Sequence, residues 1–359
     1  MTFYAETPKP KSLASRVTGL ISGFLILVTG LFLIGAPTPY LVEQAGPAYN
    51  VLSTLGGKPV ITIEGQKTYP TTGQLDMLTV TLKGDSTRGA SWLDVGLAKI
   101  DPSVAIVEKK DIYPPGWDDA KLNEEADMMM LDSQSNAKAA ALNLLDIPFE
   151  SSIKVTSVSK SGPAANVLKA GDTLVTVQGQ PATGIDQLRS YVAATKGKMQ
   201  VQLEISRAGK LSTVFVRPEL IDKEYRMGIY VQSVPEFPFK IDIEVGNVGG
   251  PSGGQILALA IYDKLTPGSL TGGQNIAGTG TVTPEGTIGP IGGIRQKMYG
   301  AIRSGAKWFL APSENCDEVI GHIPEGIQVI KVSNLQDSLK AVKAISTGVG
   351  TATLPSCTK

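Results

Sequence analysis

The chain has 359 residues, equal numbers of acidic and basic side chains, and a hydrophobic content of 42%. This length suits two or three domains, each with its own core. A formal net charge of zero does not fit the basic surface typical of nucleic-acid-binding proteins. We therefore expect protein or peptide partners and no nucleic acid.

A long apolar run lies near the N-terminus, at residues 17–36. At about 1.5 Å per residue, a helix of this length matches the roughly 30 Å hydrocarbon layer of a membrane. Lys9, Lys11 and Arg16 precede the run, and the first charge after it is Glu43. The positive-inside rule therefore predicts a single-pass protein of the cell membrane, with residues 1–16 in the cytoplasm and the bulk of the chain outside.

A cleaved signal peptide is the alternative for the same run. The apolar region of a signal peptide usually has about 7–15 residues, which is shorter than this run. The nearest small-residue cleavage site is also followed by Pro37. An uncleaved anchor is therefore favoured.

Residues 40–147 are predicted to form a β-rich segment that ends in a helix. The stretches "KPVITI" and "LDMLTVTLK" alternate apolar and polar residues between glycine and proline clusters. Residues 118–146 are good helix formers without internal glycine or proline, and Pro148 closes that helix. We expect this segment to pack against the C-terminal part of the chain, so that the unit between them is an insertion.

Residues 148–220 resemble a PDZ domain of the kind found in bacterial envelope proteases. The specific part is "GPAANVLKAGDTLVTVQGQPA". Such a domain binds an extended peptide on a sheet edge beside a helix. The usual glycine-rich carboxylate loop is not evident before Ile153, so a packing module without a ligand is the alternative.

Residues 224–345 contain the candidate nucleophile, Ser252, in "GGPSGG". A serine needs a base within hydrogen-bond reach. The G-x-S-x-G pattern at 250–254 is also compatible with a hydrolase triad formed with Asp317 and His322. The glycines and Pro251 interrupt the strand that such a triad requires, so this alternative is disfavoured.

Lysine is the other available base, and it must be buried to lose its charge near neutral pH. In "GGIRQKMYGAIRSGA", helical spacing places Lys297 beside an apolar stripe that includes Ile294 and Met298. A solvated lysine is the alternative. The candidate oxyanion donors are the backbone amides of Gly250, Ser252 and Gly253, which lie near the start of the helix that follows Ser252.

The segments "GGPSGGQILALAIYDKL", "GGQNIAGTGTV" and "GPIGGIRQKMYGAIRSGAKWFLAPSEN" resemble the proteolytic domain of Lon proteases. The resemblance implies that Ser252 is the nucleophile, that Lys297 is its base, and that Thr279 helps to hold the amine. It also implies an α+β fold and allows a hexameric ring. Many Lon proteins carry an acidic residue three positions before the serine, where this chain has Gly249. We therefore expect the role of this acidic residue to be absent or to be taken by Asp242 or Glu244.

The whole chain is similar to membrane-anchored, PDZ-containing Lon-like proteins of bacteria. We expect an α+β multidomain protein with an N-terminal transmembrane helix, a β-rich segment, a PDZ domain, a Lon-type proteolytic domain, and a tail at 346–359. No phosphate-binding G-x-x-x-x-G-K-[ST] loop occurs, so no ATP-driven motor is expected. We also expect no cofactor and no metal.

Cys316 and Cys357 are the two cysteines, and both fall in the predicted external part. A disulfide between them would tie the tail to the domain, whereas two unpaired thiols are the alternative. The sequence thus favours an ATP-independent serine endopeptidase that cleaves unfolded or loosely folded proteins, with the PDZ unit selecting or gating substrates. A membrane-tethered PDZ scaffold or chaperone with an inactive protease-like domain is the second hypothesis.

Overall fold

The computed structural model describes residues 13–182, 184–221 and 223–358. Residues 1–12 lie outside the described ranges, and with them most of the predicted cytoplasmic segment 1–16. The helices of the described chain are α1 Leu13–Gly35, α2 Trp92–Ala98, α3 Lys109–Ile112, α4 Asp119–Leu144, α5 Ile185–Ala194, α6 Gly254–Leu265, α7 Ile294–Arg303, α8 Cys316–Val319 and α9 Leu335–Thr347. Short 3₁₀ turns occur at Ser313–Asn315 and Thr351–Thr353.

The strands fall into two large sheets and several short ribbons. They are β1 Tyr40–Asn50, β2 Thr54–Leu55, β3 Lys58–Pro59, β4 Ile61–Glu64, β5 Gln74–Lys83, β6 Val104–Glu108, β7 Glu150–Val158, β8 Thr173–Val177, β9 Gln180–Pro181, β10 Val201–Arg207, β11 Lys210–Val216, β12 Glu219–Ile221, β13 Glu224–Arg226, β14 Ile229–Glu236, β15 Lys240–Ile243, β16 Asn275–Gly278, β17 Thr281–Val282, β18 Ile288–Gly289, β19 Trp308–Pro312 and β20 Gln328–Val332.

Helix α1 is long and apolar enough to cross a membrane. Its segment Val17–Gly35 has a mean hydropathy of 2.4, and no part of this segment is buried in the protein. Such a helix either spans a bilayer or is a signal sequence, which are the two alternatives that the sequence leaves open. The apolar side chains of this segment are exposed and do not pack into any core of the described protein.

The first large sheet joins the two ends of the chain. Its strand order is β20-β19-β16-β5-β1-β6. Strand β16 runs parallel to both β5 and β19, while β1 is antiparallel to β5 and β6. Strands from residues 40–108 and from residues 275–332 therefore share one hydrogen-bonded sheet.

Both faces of this sheet are covered by helices. Leu75, Met77 and Ile276 point to a core that contains α6, α4 and α9, whereas Leu78 and Phe309 point to the opposite core with α7. Successive strand residues alternate between faces, which explains why these strands are apolar on both sides. Helix α6 is the innermost element, and its run Gly254–Ile261 is entirely buried.

The second large sheet is antiparallel and stands between the two parts of the first in chain order. Its strand order is β11-β10-β8-β7-β14, with β9 on β8. It has a separate core, built around Ile153, Leu174 and Leu203. Strand β14 pairs with β7 along its whole length, so the sheet includes one strand, β14, from the predicted block 224–345.

A disulfide links Cys316, at the start of α8, to Cys357 in the tail. Cys357 is buried in the core beside α7. The Lys331 amide of β20 also donates to the Pro355 carbonyl at 2.9 Å. The tail is therefore fastened to the domain by a covalent bond and a backbone hydrogen bond.

We predict that replacing both cysteines by serine lowers the free energy of unfolding by about 2–4 kcal/mol, because the open chain has more conformational entropy when unfolded. Urea titration of the full chain in detergent, followed by circular dichroism, measures this loss. The parent treated with reductant is the matched control and should show the same loss. An unchanged midpoint in both would contradict a stabilising bridge.

Candidate active site

Ser252 lies at the N-terminal end of α6, immediately before the capping residue Gly253. Gly253 packs against the Met77 sulfur so closely that a Cβ at this position has no room. A larger residue after the serine would therefore have to displace the Met77 side chain of β5. This contact fixes the start of the helix, and with it the position of the serine.

The loop before the serine is held against α4. A Cβ at Gly249 would lie 2.7 Å from Ala126 Cβ, so this position is restricted to glycine by close packing. The Gly250 amide donates to the Ala126 carbonyl at 2.7 Å, and Ser133 Oγ donates to the Pro251 carbonyl at 2.9 Å. Helix α4 thus positions Ser252 through hydrogen bonds to the backbone of Gly250 and Pro251.

Lys297 reaches the serine from α7, on the other side of the site. Ile294 and Met298 bury the same face of this helix, and only 3% of Lys297 is exposed. Its Nζ donates to Ser252 Oγ at 2.9 Å. The side chain is therefore buried and in contact with the serine, not solvated.

Thr279 completes the contact, just after the end of β16. Lys297 Nζ donates to Thr279 Oγ1 at 3.2 Å, and Thr279 Oγ1 donates to the Ser252 carbonyl at 3.1 Å. The Gly280 amide also donates to that carbonyl, at 2.8 Å. The threonine hydroxyl therefore links the amine to the backbone of the serine, so the three predicted residues lie in one hydrogen-bonded group.

Burial changes the protonation of the amine. Desolvation lowers the pKa of Lys297 to about 8, and the charge of Glu43 opposes this by raising it. Desolvation also raises the pKa of Glu43, which Lys297 lowers and Glu318 raises. A substantial fraction of Lys297 is therefore neutral slightly above neutral pH, as a general base requires.

Glu43 was not expected at this site. It lies on β1, and a Cβ at Gly293 would be 2.9 Å from Glu43 Oε1. The carboxylate therefore borders the turn that starts α7. No local motif marks it, because it is one charge in an alternating strand far from the glycine-rich segments in sequence.

The predicted substitutes for the missing acidic residue lie elsewhere. Asp242 forms an ion pair with Lys240 at 2.6 Å, and Glu244 forms one with Lys58 at 3.5 Å. All four side chains are more than half exposed. These two carboxylates belong to the outer surface of the β4–β15 ribbon because alternation points them toward water. The expectation that they reach the site is wrong.

The triad alternative also fails on geometry. Asp317 and His322 are both exposed, and His322 Nδ1 lies 3.1 Å from the Ile320 carbonyl. The group in contact with Ser252 Oγ is Lys297.

The three candidate oxyanion amides differ in availability. The Gly250 amide already donates to Ala126, so it cannot bind a substrate oxygen without breaking that bond. Within the described residues, the amides of Ser252 and Gly253 have no such partner, and both precede the first turn of α6. The positive end of a helix favours an anion at this place.

Comparison with known proteins identifies two domains in the chain. Residues 239–344 match the family model described as the Lon protease (S16) C-terminal proteolytic domain, and residues 126–217 match the PDZ domain. The chain contains a Lon-type proteolytic domain. It also contains a PDZ domain, whose matched range starts within α4 although the second sheet starts at Glu150. No ATPase domain was found in the chain.

Similar proteins include several Lon proteases. That of Azospirillum brasilense is 32% identical over 147 residues, which are 40% of this chain and 16% of the relative. The Lon protease of Rickettsia felis is 29% identical over 148 residues, 38% of this chain and 19% of the relative. The matched part thus spans about a fifth of these relatives or less.

Among solved structures, the PDZ domain of the SdrC-like protein from Listeria innocua is 26% identical. It covers 22% of this chain and 92% of its own, with a TM-score of 0.21.

We predict that Lys297→Met slows acylation of Ser252 by about 10²–10⁴-fold, because a general base is lost. Lys297→Arg keeps the charge and should slow it comparably. Mass spectrometry of the chain with an acylating serine probe measures the rate. Lys264→Met is the matched control, since Lys264 is a half-buried lysine of the same domain whose pKa is also lowered by desolvation. Equal rates in all variants would exclude Lys297 as the base.

We predict that Glu43→Gln moves the pH dependence of this acylation to lower pH. Acylation requires neutral Lys297, so the rate rises with pH through the lysine pKa of about 8. Removing the Glu43 charge removes the influence that raises this pKa, so the rise occurs earlier. Glu318→Gln, which removes a charge near Glu43, should shift the profile less. A shift to higher pH for Glu43→Gln would contradict this electrostatic role.

Proposed function

We propose that the chain is a serine endopeptidase in which Lys297 activates Ser252, and that it works without ATP outside the cytoplasmic membrane. The observation that carries the proposal is the 2.9 Å contact between a buried lysine amine of lowered pKa and the serine hydroxyl. A serine and a buried lysine form a sufficient pair for acyl transfer.

The neutral Lys297 amine accepts the hydroxyl proton while Ser252 Oγ bonds to the scissile carbonyl carbon. The resulting ammonium gives this proton to the leaving amine as the carbon–nitrogen bond breaks, which leaves an acyl ester on the serine. Water then attacks the ester, with Lys297 again accepting a proton, and the acid product departs. Thr279 keeps the amine aligned between these steps through its two hydrogen bonds.

A cavity of about 240 Å³ adjoins the nucleophile and suits a substrate side chain. Its walls come from α4, from Pro251 next to the serine, and from β17. Without an unfolding motor in the chain, substrates would have to enter as extended segments. We therefore propose unfolded or loosely folded proteins as substrates.

The PDZ domain offers a peptide site at its sheet edge. Strand β14 is the terminal strand of the second sheet, and α5 packs beside it. Gly228, with φ +72°, comes directly before this strand. An extended peptide would add to β14 by main-chain hydrogen bonds, with α5 supplying side-chain pockets. A glycine-rich turn was sought before Ile153, whereas the turn before β14 contains the single glycine Gly228.

A contact path supports gating of the protease by this edge. Gln232 of β14 donates to Asp132 of α4 at 2.5 Å. The next residue, Ser133, holds the Pro251 carbonyl beside the nucleophile. A peptide that adds to β14 and shifts this strand would therefore act on the segment that positions Ser252.

The proposed location outside the cytoplasmic membrane rests on α1 as an anchor and on the basic residues before it. The disulfide between Cys316 and Cys357 supports an oxidising compartment. Assembly into a hexameric ring stays a prediction from the resemblance to Lon proteases.

The enzyme proposal predicts cleavage of casein, an unfolded protein, by the full chain in detergent without ATP. Ser252→Ala should abolish cleavage, and gel electrophoresis with mass spectrometry of the products measures it. Ser269→Ala is the matched control, because Ser269 is a serine of the same domain whose hydrogen bonds are to Thr72 and its neighbours.

The alternative, a tethered PDZ scaffold or chaperone, predicts a different result. Capture of peptides by the full chain without hydrolysis, and without acylation of Ser252 by the serine probe, would refute the enzyme and support the scaffold.

A further inference from the structure

Helix α2 presents an exposed apolar face. Trp92, Leu93, Leu97 and Ile100 just beyond the helix are 45%, 42%, 53% and 80% exposed. At about 100° per residue these four side chains fall within an arc of roughly 140°. We call this surface the α2 apolar face.

The opposite side of α2 is already occupied by the protein core. Val95 and Ala98 are buried and pack with Val42 of β1 and with Ala90. The α2 apolar face is therefore not the inner side of an amphipathic helix. It is a second apolar side, on which a short surface helix would normally carry polar residues.

The start of α2 is fixed beside the end of α1. Pro37 forms a β-bridge with Ser91, the residue that caps α2, and Thr38 Oγ1 donates to the Ala90 carbonyl at 2.8 Å. The Arg88 guanidinium donates to the carbonyl of Gly35, the last residue of α1. Helices α1 and α2 are also in direct contact. The α2 apolar face is thus held where the apolar helix ends.

We propose that α2 lies in the headgroup region of the lipid bilayer that α1 crosses, with its apolar face turned into the acyl chains. The inference rests on the proposed membrane anchor. The occupant is lipid because the α2 apolar face adjoins the exposed apolar surface of α1. Its Trp92 is the residue type enriched at membrane interfaces. Arg88 and Lys99, which lie before and after the helix in sequence, are both exposed and suit anionic headgroups.

This placement gives the protein a second attachment to the membrane. A single anchor helix lets the external body rotate and tilt, whereas an interfacial helix fixed to its end restricts both. Strand β1 follows directly after α1 and packs on α2, so the first large sheet takes its orientation from the membrane surface.

Tryptophan quenching by brominated lipid tests the proposal. The full chain is reconstituted in vesicles of phosphatidylcholine and phosphatidylglycerol, with or without bromine on the acyl chains near the glycerol. We expect brominated lipid to decrease the emission of the parent chain, and Trp92→Phe to abolish the decrease. Trp117→Phe, which removes a half-buried tryptophan outside α2, is the matched control and should retain it.

A second variant tests the face itself. Leu93→Asp with Leu97→Asp changes two exposed positions, so folding should persist. We expect it to lose most of the quenching while the chain still floats with vesicles through α1.

The opposite outcomes are distinct. Floating chains whose Trp92 emission is equal in both kinds of vesicle would overturn the proposal, and a blue-shifted but unquenched Trp92 would show instead that another protein copy covers the face. Failure of the parent chain to float would overturn both the anchor and the interfacial helix. Casein cleavage in detergent would still report on the proposed catalytic function separately.

Discussion

A lysine amine held out of water against a serine hydroxyl is the interaction on which the site depends. A pKa of about 8 in place of 10.5 means that burial disfavours the charged amine by about 3 kcal/mol. The fold must supply dry surroundings for Lys297 without leaving its protons unbonded. The hydroxyls of Ser252 and Thr279 meet this need, since both accept hydrogen bonds from the amine.

Residues that precede the matched Lon-type domain also contribute to the candidate site. Met77 on β5 fits against Gly253, and α4 holds the loop before the serine, although both precede residue 239, where the match to the Lon proteolytic domain begins. Glu43 on β1 adds the nearby negative charge. The candidate site is therefore built on one sheet whose strands are separated in sequence by the second sheet, and a fragment starting at residue 239 would lack part of its walls.

The sequence predicted those parts of the molecule that local pattern determines. The glycine-rich segments placed Ser252, Thr279 and Lys297 in one family motif, and helical spacing put Lys297 near a buried face. Spacing alone left a solvated lysine open, because the burial of a flanking residue depends on what packs beside it. Ser252 packs beside Lys297, and the two residues are brought together by the tertiary contacts of α6 and α7.

Features set by long-range pairing were beyond local pattern. The pairing of β14 with β7, which lies about 80 residues earlier in the sequence, was not predicted. In the sequence, Glu43 resembles any solvent-facing charge of a strand, because the packing of α7 against β1 is not visible there. Asp242 and Glu244 were reasonable by proximity in sequence, but strand alternation turns them to solvent. In each case the deciding contact joins residues that no motif connects.

The connection between α1 and β1 sets a limit on where proteolysis could take place. Helix α1 ends at Gly35 and β1 begins at Tyr40. Residues 36–39 are therefore the whole linker between them, and it spans roughly 14 Å even when fully extended. In a membrane-anchored protein, so short a linker confines the proposed catalytic domain to a thin layer above the lipid. Polypeptides emerging at, or lying along, the bilayer surface would meet it far more often than proteins diffusing at a distance, and proximity itself would become a form of selectivity.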